Sequence, residues 1–229
     1  MERRTLYIPF QRVFFMLFVV ILTIALSFLF LGLIGKAFGS VGFGILEVSL
    51  LLIATLLGSY INIPLKKIRT IRPVVEQEYV SAFGIVYTVP RIRYGIATTL
   101  LAINVGGALI PTLISLYLLL RMPSVLVYAM IGVAFVTVIT HLIARPVHGV
   151  GIATPALLPP LAAALSSYLL PSVAPYVVAY VSGVLGTLIG ADLLNLNVVS
   201  KLGAPVVSIG GAGTFDGIFL SGIIAVLLA

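Results

Sequence analysis

Cysteine and tryptophan are absent, histidine occurs twice, and only six residues are acidic. Without cysteine the chain has no disulfide framework, no thiol nucleophile and no thiolate metal site. Two histidines exclude a His-rich metal site, no close His/Asp spacing suggests another, and neither a metal nor an organic cofactor is expected. Charge is scarce too: Asp, Glu, Lys and Arg make up 8% of the 229 residues, against about a quarter in soluble domains. So little charge cannot clothe a water-facing surface, which excludes an ordinary soluble globular domain.

What fills the space is apolar, 61% of the chain, much of it in runs near or beyond the roughly 18 residues that mark a membrane span. The first run, Val13 to Ile34, is too long for a signal-peptide core and no small-residue cleavage site precedes polar sequence, so it is expected to stay as a helix. Further runs cover Phe43 to Ile63, Tyr94 to Leu120, Val125 to Ile143, Pro155 to Leu170, Tyr176 to Leu194 and about Ile209 to Ala229. The predicted fold class is therefore all-α: a polytopic bundle of about seven transmembrane helices with a broken or short fifth span. Residues 1–229 form one integral-membrane domain, in which 64–93 is a loop or short hairpin. No internal repeat or linker divides it.

Basic residues set the direction, because Lys and Arg are retained on the cytoplasmic side of short loops. With the N-terminus inside, the inner loops hold eleven basic residues (Arg3, Arg4, Arg12, Lys66, Lys67, Arg69, Arg72, Arg91, Arg93, Arg145 and Lys201), and the outer loops only Lys36 and Arg121. The expectation is a cell-membrane protein with a cytoplasmic N-terminus and an outside C-terminus. The net charge of +7 then reflects topology and contact with anionic head groups, not nucleic-acid binding. In the 64–93 segment, YVSAFGIVYTV is β-prone, and Tyr79, Tyr87 and Tyr94 suit a head-group layer.

Ionisable groups inside spans are costly and mark function or a buried partner. Glu47 lies near the outer end of the second run and close in sequence to Lys36, so an ion pair or simple exposure explains it. Asp192 and Asp216 differ. Counted from Tyr176, Asp192 lies sixteen residues deep, about 24 Å; counted from Ala229, Asp216 lies thirteen residues deep, about 20 Å. Coming from consecutive antiparallel spans at nearly one depth, they can meet. Small residues surround them: Gly213, Gly217, Ser221 and Ala225 recur every fourth position, as do Gly186 and Gly190, the pattern of close membrane-helix packing. A purely structural seam would do better without acids. The joining segment, with Gly211 and Gly213, can hold irregular backbone only where it is buried or lines a cavity. Asn104 and Asn195 could support the acids, while His141 and His148 sit where interfacial water makes them unremarkable. In the fifth run Pro155, Pro159 and Pro160 break or kink the first turns and fall level with both acids.

From about Arg145 to Ala229 the segments HGVGIATPALLPPLAAAL, GTLIGADLLNL and SIGGAGTFDGIFLSGIIAVLLA resemble a family of small archaeal and bacterial multi-pass membrane proteins that carries no assigned reaction. At the level of the site the chain also resembles presenilin-type intramembrane proteases, which use one Asp on each of two consecutive helices, the second in a GxGD motif, beside a PAL tripeptide. By that resemblance Asp192 matches the first acid, Asp216 the second with Gly211 and Gly213 upstream, and Pro155, Ala156 and Leu157 the PAL. The match is partial: the second motif reads GAGTFD, and PAL precedes the acids instead of following them. The expected function is an intramembrane aspartyl protease acting on a membrane-helix substrate. Asp192 and Asp216 would be catalytic, one holding a proton while the other activates water. Pro155, Ala156, Leu157, Gly190, Asn195, Gly211, Gly213 and Gly217 would support the site or bind substrate. Two other classes use the same residues: a cation- or proton-coupled transporter or channel, and a non-catalytic scaffold in which the acids are internally paired. The lipid bilayer is the expected partner in each, and the oligomeric state is not legible.

Overall fold

A computed structural model describes residues 10–82, 85–147, 151–199, 204–211 and 217–229. Helix α1 (Phe10–Ser40) leads through a short turn into α2 (Ile45–Gly58), and then the chain changes period. Strands β1 (Asn62–Ala82) and β2 (Ile85–Asn104) pair antiparallel along their whole length, from Asn62 opposite Asn104 to Ala82 opposite Ile85. At about 3.4 Å per residue this ribbon is roughly 65 Å long. It forms because Pro64, Pro73 and Pro90 recur too often for a helix, while Val, Ile, Thr and Tyr fill the positions between. A ribbon tolerates those prolines, since each strand has an open edge for most of its length, and the register shifts at Pro64/Lys66. Among the described residues one ion pair forms, Arg91 Nη1 to Glu78 Oε2 at 2.7 Å, across this ribbon.

A π-helical turn (Val105–Leu109) carries β2 into α3 (Ile110–Arg121), and a short 3-10 turn precedes α4 (Leu126–Ile143). The small hairpin β3 (Arg145–Val147) and β4 (Gly151–Ala153) is followed by α5 (Leu158–Leu169) and α6 (Pro175–Thr187). Helix α6 continues as a second π turn (Leu188–Asp192), a 3-10 turn (Leu193–Asn195) and α7 (Leu196–Val199). Strand β5 (Val206–Ile209) joins β2 in parallel, Leu100 to Ile103 opposite Val206 to Ile209, giving the sheet order β1-β2-β5; α8 (Gly217–Leu228) ends the chain.

The all-α, seven-span expectation is corrected by these strands and by helix length. The run Tyr94 to Leu120 is strand as far as Asn104, Ile63 belongs to β1 and Ile209 to β5. Two stretches among the described residues are long and apolar enough to cross a membrane, Pro123–Ile143 with 21 residues and Pro175–Val198 with 24; four further apolar helices are shorter. An apolar run does not reveal whether its residues satisfy their backbone within a helix or with a neighbouring strand. The 64–93 segment, expected as a loop or short hairpin, lies within a ribbon that extends from Asn62 to Asn104. Membrane association itself agrees with the surface: α4 exposes Val127, Ile131, Val138 and Leu142 to more than half, more contiguous apolar area than a water-facing helix carries.

Helix α6 is the centre of the bundle, with Val178, Ala179, Tyr180 and Val181 fully enclosed by α4, α5 and α8. Its glycines divide the work. Gly183 faces α8, where an added Cβ would lie 2.9 Å from the Ser221 carbonyl oxygen; Gly186 and Gly190 face α4, where one would meet Val136 Cβ or the Thr137 carbonyl oxygen at 2.5 Å. The Gly186/Gly190 stripe thus serves the α4 contact, and α8 answers α6 with Gly222. Gly186→Ala should cost about 1–3 kcal/mol by forcing α4 and α6 apart, read as a lowered thermal midpoint in detergent.

Candidate functional site

The polar centre begins where β1 and β2 end. Asn104 is fully buried and spends its amide on three neighbours: Nδ2 donates to the Ser59 carbonyl oxygen at 2.7 Å and to Asn62 Oδ1 at 3.1 Å, and Oδ1 accepts the Gly107 N–H at 2.7 Å. Ser208 Oγ of β5 donates to the same Asn62 Oδ1 at 2.6 Å. This network caps the first π turn and locks it to α2, the ribbon and β5. Glycines let the backbones meet: a Cβ at Gly106 would collide with the Thr55 carbonyl oxygen and lie 2.5 Å from the Ser59 amide.

Beyond β5 the chain turns at Gly210 and Gly211, both with left-handed φ of +77° and +73°, and the Gly211 N–H closes the turn on the Ser208 carbonyl oxygen at 3.1 Å. Gly210 rests on the first π turn; a Cβ there would stand 2.5 Å from Ala108 Cβ and 2.7 Å from the Ala108 amide. Its N–H donates to Asp192 Oδ2 at 3.0 Å. Asp192, half-buried, is the last residue of the second π turn, so its carboxylate ties that turn to the glycine turn after β5.

A π turn leaves carbonyls without their regular donors, and Asn195 supplies the replacement. Its Nδ2 donates to the carbonyl oxygens of Gly190 at 3.0 Å and Ala191 at 2.9 Å, and lies 3.3 Å from His141 Nδ1. Asn195→Ala should cost about 1–3 kcal/mol, the penalty for stranding buried acceptors. Asn195→Asp should not rescue it, because carboxylate oxygens would face carbonyl oxygens. Thermal unfolding of both variants checks this.

The expected site residues fall into three groups. Gly190, Asp192, Asn195 and Gly211 lie together at the break in α6 and the glycine turn. Pro155, Ala156 and Leu157 form an exposed turn before α5, directly after β4, which packs beside the second π turn. The fifth run begins late, as its prolines suggested, but Pro159 and Pro160 do not break the helix: they are buried in its first turn, where a missing N–H costs least. Because residues 159 and 160 are prolines, the carbonyls of Pro155 and Ala156 lack the donors a helix would give them. Gly217 is exposed and opens α8. Gly213 and Asp216 lie outside the described residues. Among the described residues no three His, Asp or Glu side chains converge.

Sequence reasoning missed the Gly210 amide and His141 as neighbours of the site. Gly210 stood only inside a Gly-rich run, and nothing in the sequence links His141 to Asn195, 54 residues away. No curated protein and no solved structure matches the chain. A family profile does match, over residues 56–228, about three quarters of the length, and by that match the chain belongs to the family described as "Protein of unknown function (DUF1614)".

Proposed function

We propose that the chain is a multi-pass membrane protein and an intramembrane aspartyl protease, with Asp192 and Asp216 as its acids and a membrane helix as its substrate. The observation that carries this reading is the register of α6 on α8. Thr187 Oγ1 donates to Ser221 Oγ at 3.0 Å, and Gly183 lies against Ser221 and Gly222, so the second half of α6 is packed on the first half of α8. From that bond Asp192 lies five residues onward in the chain, about 7 Å, and Gly217 lies four residues back along α8, about 6 Å. Asp216, the residue before Gly217 in sequence, lies outside the described residues. A shared-proton dyad requires a second acid level with Asp192, and in this reading Asp216 is that acid.

Three further features support the reading. The site resembles that of presenilin-type proteases in its two acids, in the glycines ahead of the second and in a PAL tripeptide. The carbonyls of Pro155 and Ala156, left without helical donors, could take N–H groups from an unwound substrate. Strand β5 is at the edge of its sheet and leads straight into the Gly210 turn, so an extended substrate segment could add to it and arrive beside Asp192.

The N-terminus and the β1–β2 ribbon would face the cytoplasm and Ala229 the outside, on the eleven-to-two division of basic residues. A cysteine placed in the ribbon should resist impermeant reagents applied to intact cells; ready labelling would reverse the topology. For the activity, the purified chain in liposomes should cleave reporter membrane helices. Cation flux without any cleavage would replace the protease by a carrier that uses the same acids.

A further inference from the structure

Helix α2 with the turn before it, and α3 with the π turn before it, run antiparallel and touch at two ends. At one end Gly58 meets Gly106, where an added Cβ would stand 3.0 Å from the Gly106 amide; at the other, the rings of Phe43 and Tyr117 are 5.9 Å apart. Between these contacts the helices leave an open groove of about 470 Å³ walled by Leu50, Leu51 and Ala54 of α2 and Ile110, Leu113 and Ile114 of α3. That volume is within the range of small-molecule sites, about 300–1,000 Å³. Each wall offers about two helical turns: Glu47 to Ala54 and Ile110 to Tyr117 both span seven residues, roughly 10 Å.

One end of this groove is charged. Glu47 is the one ionisable carboxylate in the lining. Its Oε2 accepts the Gly44 N–H at 2.8 Å, and Oε1 takes no hydrogen bond from the described residues. Arg121, one turn beyond Tyr117, reaches among the described residues only the Gly42 carbonyl oxygen, at 3.4 Å. Both charges are thus tied to the same α1–α2 connection, at positions two residues apart, yet they form no ion pair with each other or with any described residue. A wholly apolar occupant, such as a partner helix, would press against a carboxylate it could not satisfy. The arrangement suits a molecule with an apolar chain and a head group bearing both signs of charge.

We propose that this groove binds a phospholipid with a primary-amine head group. Its acyl chain lies between α2 and α3, its phosphate meets the Arg121 guanidinium, and its ammonium donates to Glu47. Guanidinium matches phosphate through paired donors, and an ammonium offers three N–H groups where a quaternary amine offers none.

The test uses the full chain purified from vesicles containing equal phosphatidylethanolamine, phosphatidylcholine and phosphatidylglycerol with identical acyl chains. Lipids retained in mild detergent are then counted by native mass spectrometry. The parent should keep one phosphatidylethanolamine per chain, about tenfold over either competitor, a difference of about 1.4 kcal/mol. Glu47→Gln retains an acceptor for the Gly44 cap and should bring phosphatidylethanolamine down to the phosphatidylcholine level, while Arg121→Gln lowers all three. Ala54→Phe leaves both charges but fills the groove and should remove bound lipid of every class. Equal retention of the three lipids by the parent, an unchanged preference in Glu47→Gln, full lipid retention by Ala54→Phe, or a second polypeptide occupying the parent in place of lipid would each overturn the proposal.

Discussion

Asp192→Asn and Asp216→Asn are each expected to lower cleavage of a membrane-helix substrate by about 10²–10⁴-fold, the usual contribution of a positioned acid or base. Water activation in a carboxyl pair needs one member ionised and the other protonated, so losing either should cost about as much as losing both. The Asn side chain keeps the size of Asp and can still accept the Gly210 N–H through its Oδ1. The Asp192 variant should therefore unfold at nearly the parental temperature. That separation decides the matter. Cleavage that persists in either variant would end the dyad, and a large loss of thermal stability in step with activity would recast Asp192 as a structural acceptor for the glycine turn.

Gly210→Ala should have the second-largest effect, and through backbone geometry alone. At φ +77° an L side chain costs about 1–2 kcal/mol, and the new methyl would press into Ala108 at 2.5 Å. The turn must then lift from the first π turn and carry its N–H away from Asp192. Activity should fall by about 10²-fold, the loss typical of a misplacement near 1 Å. Gly217→Ala is the comparison for stability alone, because Gly217 adjoins Asp216 in sequence. A Cβ at Gly217 meets nothing within 4 Å among the described residues, and α8 is already helical there, so packing and stability should be nearly unchanged. If Gly210→Ala left both cleavage and stability at parental levels, the Gly210 contact would have no part in holding Asp192.

Asp192 was legible because an acid in an apolar run stands out from composition alone, whereas Asn195, one helical turn on, was expected to support the acid and instead gives its amide to the Gly190 and Ala191 carbonyls. The part played by Gly210 was not legible. Its amide reaches Asp192 only because β5 pairs with β2 and the following turn settles on Gly107 and Ala108, a contact between segments about a hundred residues apart. The glycine stripe shows the same limit. Its four-residue period announced close helix packing, but whether Gly186 and Gly190 face α8 or α4 depends on the rotation of α6 within the bundle, which spacing cannot supply.

By itself the sequence determined how little of the chain can face water and that thiol chemistry is closed to it. A chain with 8% charge and long apolar runs cannot be covered by water-facing residues, and without cysteine no thiol chemistry is open to it, whatever its fold. Only the tertiary structure decided how the backbone of those runs is satisfied. Tyr94 to Asn104 reads as the start of a membrane helix, yet becomes strand because β1 lies alongside it from end to end and β5 pairs with its last residues. Helical hydrogen bonds close within one segment and leave a local period in the sequence, whereas strand hydrogen bonds need a partner that the chain brings up from elsewhere. Hydrophobicity is common to both, so it fixed where the chain avoids water and left the choice between helix and sheet to long-range pairing.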